Sequence, residues 1–157
     1  MAHRSPTPSL DVSIVIAAPQ GRVLGAFFDG DALNAWWQAS RSVTIPRTLG
    51  PYAVEWPSTD FEDDVLGRLG GVFRGTVMQC QSSGFFVADA FWLPPDGDPI
   101  GPMAMEVTCD TADDDQRTLV RVKQSGFEES ARWRRYYEVI DRGWQGALHS
   151  LKSLLEK

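Results

Sequence analysis

The 157 residues contain two histidines, His3 and His149, so the side chain best suited to general-base work near neutral pH is almost missing. His3 lies in the polar opening stretch and His149 on the charged side of a helical pattern. A His-based triad or dyad is therefore not expected. No G-x-S-x-G elbow offers a serine nucleophile. Gly67-Arg68-Leu69-Gly70-Gly71 fits neither a dinucleotide fingerprint nor a P-loop, and reads as a turn feeding a strand. Asp96-Gly97-Asp98 and Asp113-Asp114-Asp115 carry oxygen ligands without the spacing or closing Glu of a calcium loop. They read as solvated hairpin tips, and no metal or cofactor is expected. Cys80 and Cys109 are far apart in predicted strands, where a reduced thiol serves as a small core residue. Strand alternation sets Glu106 against Met103, Met105, Val107 and Cys109, and Asp89 against Phe86, Ala88, Ala90 and Trp92. Glu55 likewise opposes Tyr52, Val54 and Trp56. All three carboxylates are expected on the wet face, since an unpaired inward charge is costly. What the chain has in quantity is aromatic surface: six Trp, eight Phe and three Tyr. Such rings can build a core or wall a pocket.

The elements that must position them are legible from periodicity. Val12, Ile14 and Ile16 alternate as in a strand, and Pro19 suits the start of a helix whose apolar side is Val23, Ala26 and Phe27. Asp29-Gly30 ends that helix, and Asp31 is positioned to cap a short second one over 32–37. Six strands follow, at 42–46, 52–56, 72–81, 85–93, 103–111 and 116–125, separated by turn residues. Connections this short favour antiparallel neighbours. The acidic stretch 57–71 is expected to be an exposed, mobile loop. From 130 to 156, Trp133, Tyr136, Tyr137, Ile140, Trp144, Ala147, Leu148, Leu151, Leu154 and Leu155 recur at helical spacing. They form a stripe roughly 120° wide on a helix about 40 Å long. Arg135 and His149 are expected in water on its other side, with Arg132, Arg134 and Arg135 partly paired with Glu128, Glu129 and Glu138. Gly143 and Gly146, flanking Trp144, suggest close approach of another segment, with Trp144 as the anchor.

Composition excludes some classes. A net charge of −6 and the lack of any Lys/Arg-rich run oppose nucleic-acid binding. No stretch approaches the roughly 20 apolar residues of a membrane span, so no membrane insertion is expected. Met1–Leu10 is polar with two prolines, unlike a signal peptide, and the expected location is cytoplasmic. Residues 1–9 read as a flexible tail and 10–157 as one domain.

The order strand, two short helices, six strands and a long amphipathic helix resembles the helix-grip fold of the START-like (SRPBCC) superfamily. Pro19-x-x-x-Val23-x-x-Ala26-Phe27 with Trp36-Trp37 looks like the opening segment of the heat-shock-protein ATPase activator homologues. Gly71-x-Phe73-x-Gly75-x-Val77, Phe91-Trp92 and Thr118-Leu119-Val120 resemble their middle strands. Ser125-Gly126-Phe127 and Gly143-Trp144-x-x-x-Leu148-x-x-Leu151 resemble their closing segment. The resemblance implies an α+β fold in which a curved antiparallel sheet of six or seven strands wraps the last helix around a cavity for a small apolar ligand. That cavity would lie between Trp133, Tyr136, Tyr137, Ile140 and Trp144 on the helix and Val54, Trp56, Phe73, Phe86, Trp92 and Met105 on the sheet. Trp36 and Trp37 would close one end, and Tyr136 and Tyr137 would offer phenol groups to the ligand. Two other readings stay open: a cyclase- or hydrolase-like enzyme, and a domain that modulates a chaperone ATPase. The partners they leave open are a heat-shock chaperone or a second copy of the chain in a homodimer.

Overall fold

A computed structural model describes residues 9–112 and 115–157. His3, the tail over 1–8 and the first two acids of Asp113-Asp114-Asp115 lie outside the described residues. In chain order the elements are β1 (Leu10–Ile16), α1 (Gln20–Ala26), α2 (Gly30–Trp37), β2 (Arg41–Thr44), β3 (Pro51–Trp56), β4 (Glu62–Asp63), β5 (Gly67–Arg68), β6 (Gly71–Gln81), β7 (Gly84–Leu93), β8 (Ile100–Ala112), β9 (Arg117–Ser125) and α3 (Ala131–Leu155). Seven strands form one antiparallel sheet in the order β1-β9-β8-β7-β6-β3-β2, and β4 with β5 makes a separate small hairpin. The sheet curves around α3, with α1 and α2 inserted after the first strand. This is the α+β helix-grip architecture that the element order implied.

Local chemistry explains the helix ends. Pro19 stands at the N-cap of α1 in extended geometry, where its missing N–H costs nothing. The cap of α2 is Asp29, not Asp31: Asp29 stays extended (φ −94°, ψ 123°) and its carboxylate accepts the Ala32 N–H at 3.3 Å. Asp31 is already inside the first turn, where a negative charge favours the helix dipole. Ser130 caps α3 by accepting from the Trp133 N–H at 3.1 Å. The far end of α3 is fixed to the first strand: Lys152 Nζ donates to the Val15 carbonyl at 3.1 Å, and Glu156 accepts the Ala17 N–H at 2.8 Å.

One departure from simple alternation has consequences for the site. On β7 the buried residues are Phe85 and Val87, then Ala90 and Trp92. The phase changes because β7 slips against β8 between Val87 and Ala90, with Asp89 in left-handed geometry (φ 50°). Opposite the slip, Gly75 leaves room that a Cβ would fill, since it would stand 2.5 Å from Val87 Cγ1 and 2.9 Å from the Ala88 carbonyl. Such bulges bend a strand sharply and let a broad sheet close around a helix. Phe86 is therefore on the face away from the helix and half-buried, whereas Phe85 packs inward against Phe27, Phe28 and Tyr52.

The bulge makes a specific demand on residue 89. Asp89→Gly should be neutral or slightly stabilising, because glycine adopts positive φ freely. Asp89→Val, β-branched and exposed, should destabilise by about 1–2 kcal/mol. Urea unfolding of the two variants measures both; equal stabilities would show that the bulge does not need this conformation.

Candidate functional site

Between the sheet and the middle of α3 lies a cavity of about 700 Å3. This is inside the roughly 300–1,000 Å3 range that encloses small organic ligands. Its walls are mostly rings: Trp36, Trp37, Trp56, Phe73, Trp92, Tyr136 and Trp144, with Met105, Val139, Ile140 and Leu69 between them. The rings brace one another. Trp36 and Trp37 stack at 5.0 Å, Trp37 lies 4.6 Å from Trp144 and 5.1 Å from Trp56, and Trp92 stacks on Tyr136 at 5.6 Å. Backbone carbonyls fix three indoles: Trp36 Nε1 donates to Ala26, Trp56 Nε1 to Trp37 and Trp92 Nε1 to Gly70, at 2.9, 2.9 and 2.8 Å. These bonds fix the orientation of the three rings.

Nine of the thirteen residues that sequence and resemblance assigned to the site are at this cavity: Trp36, Trp37, Trp56, Phe73, Trp92, Met105, Tyr136, Ile140 and Trp144. Four are elsewhere. Val54 is fully buried in the core, and Phe86 is on the other face of β7. Trp133 and Tyr137 line a separate groove of about 540 Å3 at the start of α3, beside Val65 and Phe127. Trp133 is about one turn too far toward the helix N-terminus and donates its Nε1–H to Glu128 at 3.2 Å, whereas Tyr137 is about 100° round the helix from Tyr136. Gly143 and Gly146 also differ from the expectation of close packing. Both line the cavity, and a Cβ on either would have nothing within 4 Å. They make space in the wall.

The residue that sequence reasoning missed is Gln124. Strict alternation along β9 places Thr118, Val120, Val122 and Gln124 inward, so its phase was the available signal. Gln124 lines the cavity and is 2% exposed. Its Oε1 accepts from Trp144 Nε1 at 3.1 Å, while its Nε2 points to Met103 Sδ at 3.7 Å. The Tyr136 hydroxyl donates to the same sulfur at 3.5 Å. Burial pushes the Tyr136 phenol well above its ordinary pKa, with the Gln124 amide drawing it partly back, so it is a donor at neutral pH.

Among the described residues the cavity lining holds no carboxylate, histidine, lysine or cysteine; its one full charge is Arg142 at the rim. Cys109 is buried in the core, where burial and the neighbouring Asp110 raise its thiol to about 12. No group of His, Cys, Asp and Glu among the described residues gathers as a metal ion requires. Asp89 and Glu106 are exposed, and Glu55 is paired with Arg41 at 2.5 Å on the sheet edge. The lining thus offers stacking faces and hydrogen bonds, without a proton-transfer group of neutral pKa.

The acidic stretch 57–71 carries part of the mouth, contributing Pro57, Ser58, Thr59, Leu69 and Gly70. It is not the freely exposed loop that its charge suggested. Asp63 is 6% exposed. Its Oδ2 accepts the Val65 and Leu66 N–H groups at 3.1 and 3.0 Å, and its Oδ1 meets the Arg135 guanidinium at 2.7 Å. Arg135, expected in water, is the strap between this segment and α3.

A START-like (SRPBCC) helix-grip domain is the class that this sheet, helix and interior define. The family model described as activator of Hsp90 ATPase homolog 1-like protein matches residues 17–156, and the chain belongs to that family. Solved structures agree in fold. Protein MLL2253 from Mesorhizobium loti is similar with a TM-score of 0.70 at 20% identity, over 94% of this chain and 96% of that one. The Aha1 dimer from Colwellia psychrerythraea is similar with a TM-score of 0.62 at 18% identity, over 96% and 97%. No curated protein matches the chain. Among the described residues no helix is long and apolar enough to cross a membrane.

Two outcomes follow from the strap and the glycines. The Arg135 hydrogen bond is the main cause of a lowered Asp63 pKa. The resulting stabilisation is fully present above the unfolded-state value of roughly 3.9 and is lost as pH falls through the lower folded value. Asp63→Asn should therefore cost about 1–3 kcal/mol at neutral pH and progressively less under acid conditions. Urea melts across the pH range read this out, and a penalty that does not change with pH would assign it to something other than the ion pair. Gly143→Ala and Gly146→Ala should each stabilise by up to about 1 kcal/mol, because helix propensity improves and nothing is struck. Destabilisation by either would mean that the wall is closed there.

Proposed function

We propose that the chain binds a small apolar ligand in the cavity between the sheet and α3. The observation that carries this reading is the open space itself: about 700 Å3, walled by braced aromatic rings, with two exposed helix glycines at its border. The half-buried Trp37, Trp56, Leu69, Val139 and Ile140 keep apolar surface in contact with water, and an apolar guest that covers it gains about 25 cal/mol per Å2. A cyclase- or hydrolase-like activity is the weaker reading, since the lining lacks an acid–base group. A cytoplasmic location belongs to the same reading and rests on Cys80 and Cys109 being free thiols.

The description of the family supports a second reading, a domain that modulates a chaperone ATPase. The solved dimer from Colwellia makes a homodimer a further proposal for this chain. Adding the protein to an Hsp90 and measuring its ATPase rate tests the chaperone reading; an unchanged rate would remove it.

The ligand reading is tested with an environment-sensitive apolar dye. Wild type should take up one dye per chain, saturably and in the native state. Gly143→Leu, which projects a side chain into the cavity from a position with room for it, should lower dye affinity at least tenfold while the variant unfolds at the same or higher urea concentration. Unchanged dye binding in a folded Gly143→Leu variant would place the dye somewhere else.

A further inference from the structure

Resting on the ligand-binding reading, we infer that the cavity selects a planar aromatic guest carrying a carbonyl oxygen, held jointly by Gln124 and Tyr136. The buried Gln124 amide and Tyr136 hydroxyl lie within reach of each other, and beyond that contact both donors find one acceptor, the Met103 thioether, at 3.7 and 3.5 Å. Thioether sulfur is a weak acceptor. Both donors are nearly fully buried, so water does not compensate them. A buried donor with a poor partner gains most from a better one, because its desolvation has already been met in the apo fold.

Both residues also line the cavity, whereas Met103 does not. A guest oxygen can therefore approach from the cavity side. The phenol O–H turns about its C–O bond without moving the ring, and the amide holds its orientation because Oε1 is bound to Trp144 Nε1 at 3.1 Å. An acceptor-only group fits this pair. A guest hydroxyl would still have to place its own hydrogen, and a carboxylate would bury a charge with no cation beside it, since Arg142 is at the rim. The walls choose the body of the guest. Trp92 stacked on Tyr136, and Trp37 against Trp144, present flat faces that reward a rigid ring system. A flexible acyl chain would lose rotamer freedom without using those faces.

Fluorenone and fluorene are matched probes, equal in shape and differing by a carbonyl in place of a methylene. Fluorene is the more hydrophobic, so burial alone favours it. Titrations followed by tryptophan fluorescence should nevertheless show fluorenone binding wild type about tenfold more tightly. The C=O stretch of bound fluorenone should move to lower frequency than in hydrocarbon solvent. In Tyr136→Phe, which keeps the stack on Trp92, the preference should fall severalfold and the shift should shrink. Gln124→Met combined with Tyr136→Phe should abolish both, read as the ratio of fluorenone to fluorene affinity within that one variant. Equal wild-type affinities for the two probes would overturn the carbonyl assignment and leave the cavity reading standing. A preference or frequency shift that survives in the double variant would also overturn it. If neither probe binds wild type, the cavity reading falls with it.

Discussion

A straight helix cannot lie flush along a strongly bent sheet, and the rest of this structure depends on that mismatch. The 25 residues of α3 form a rod about 37 Å long. The sheet beneath it is bent by slips in the pairing of β6, β7 and β8. Near its C-terminus the rod is seated, with Leu148, Leu151 and Leu155 buried and the last turn bonded to the start of the sheet. Near its N-terminus it rests on Phe127 through Trp133 and Tyr136. Between these supports the helix carries Val139, Ile140, Gly143 and Gly146 over open space.

Large rings bridge what close packing cannot. Trp144 reaches down to Trp37 and to Gln124, and so ties helix, α2 and β9 together at the edge of the gap. Interiors normally reach crystal-like density, and an unfilled space forfeits dispersion contacts along its whole lining. Here the lining is stiffened, because indole N–H groups are tied to backbone carbonyls and the mouth segment is strapped to α3 through Asp63 and Arg135. Stiffness of this kind preserves an opening that would otherwise collapse. It also explains why a gap and a folded core can coexist in one small sheet-and-helix unit.

Much of this was legible in the sequence, and the exceptions have physical causes. The apolar stripe of α3, the order of strands and the ring-bearing positions Trp36, Trp37, Trp56, Trp92 and Trp144 follow from local periodicity, which survives folding. Alternation carried through the bulge puts Phe86 on the wrong face, and the positive φ of Asp89 has no apolar signature. The charge of the stretch 57–71 suggests an exposed loop, since the Arg135 that pairs with Asp63 is 72 residues away and no local pattern announces such a pair. Gly143 and Gly146 suggest contacts in the sequence because a glycine in a helix marks either a close approach or a space, and only the surroundings distinguish the two. Gln124 stands in an inward phase on β9, but so does the buried Thr118, which is not at the cavity and donates to the Ala18 carbonyl, so phase alone does not mark the site.

The account places five of the six tryptophans at one cavity and the sixth, Trp133, outside it. That arrangement makes the indole N–H signals of a 15N-labelled sample the most direct probe, read one by one during titration with a planar aromatic compound. The account predicts saturable shifts of the Trp37, Trp56, Trp92 and Trp144 indole signals, with a single shared affinity, while the Trp133 signal stays in place. Shifts confined to Trp133, or no saturable shift in any indole, would contradict the claim that this cavity is where the protein holds its ligand.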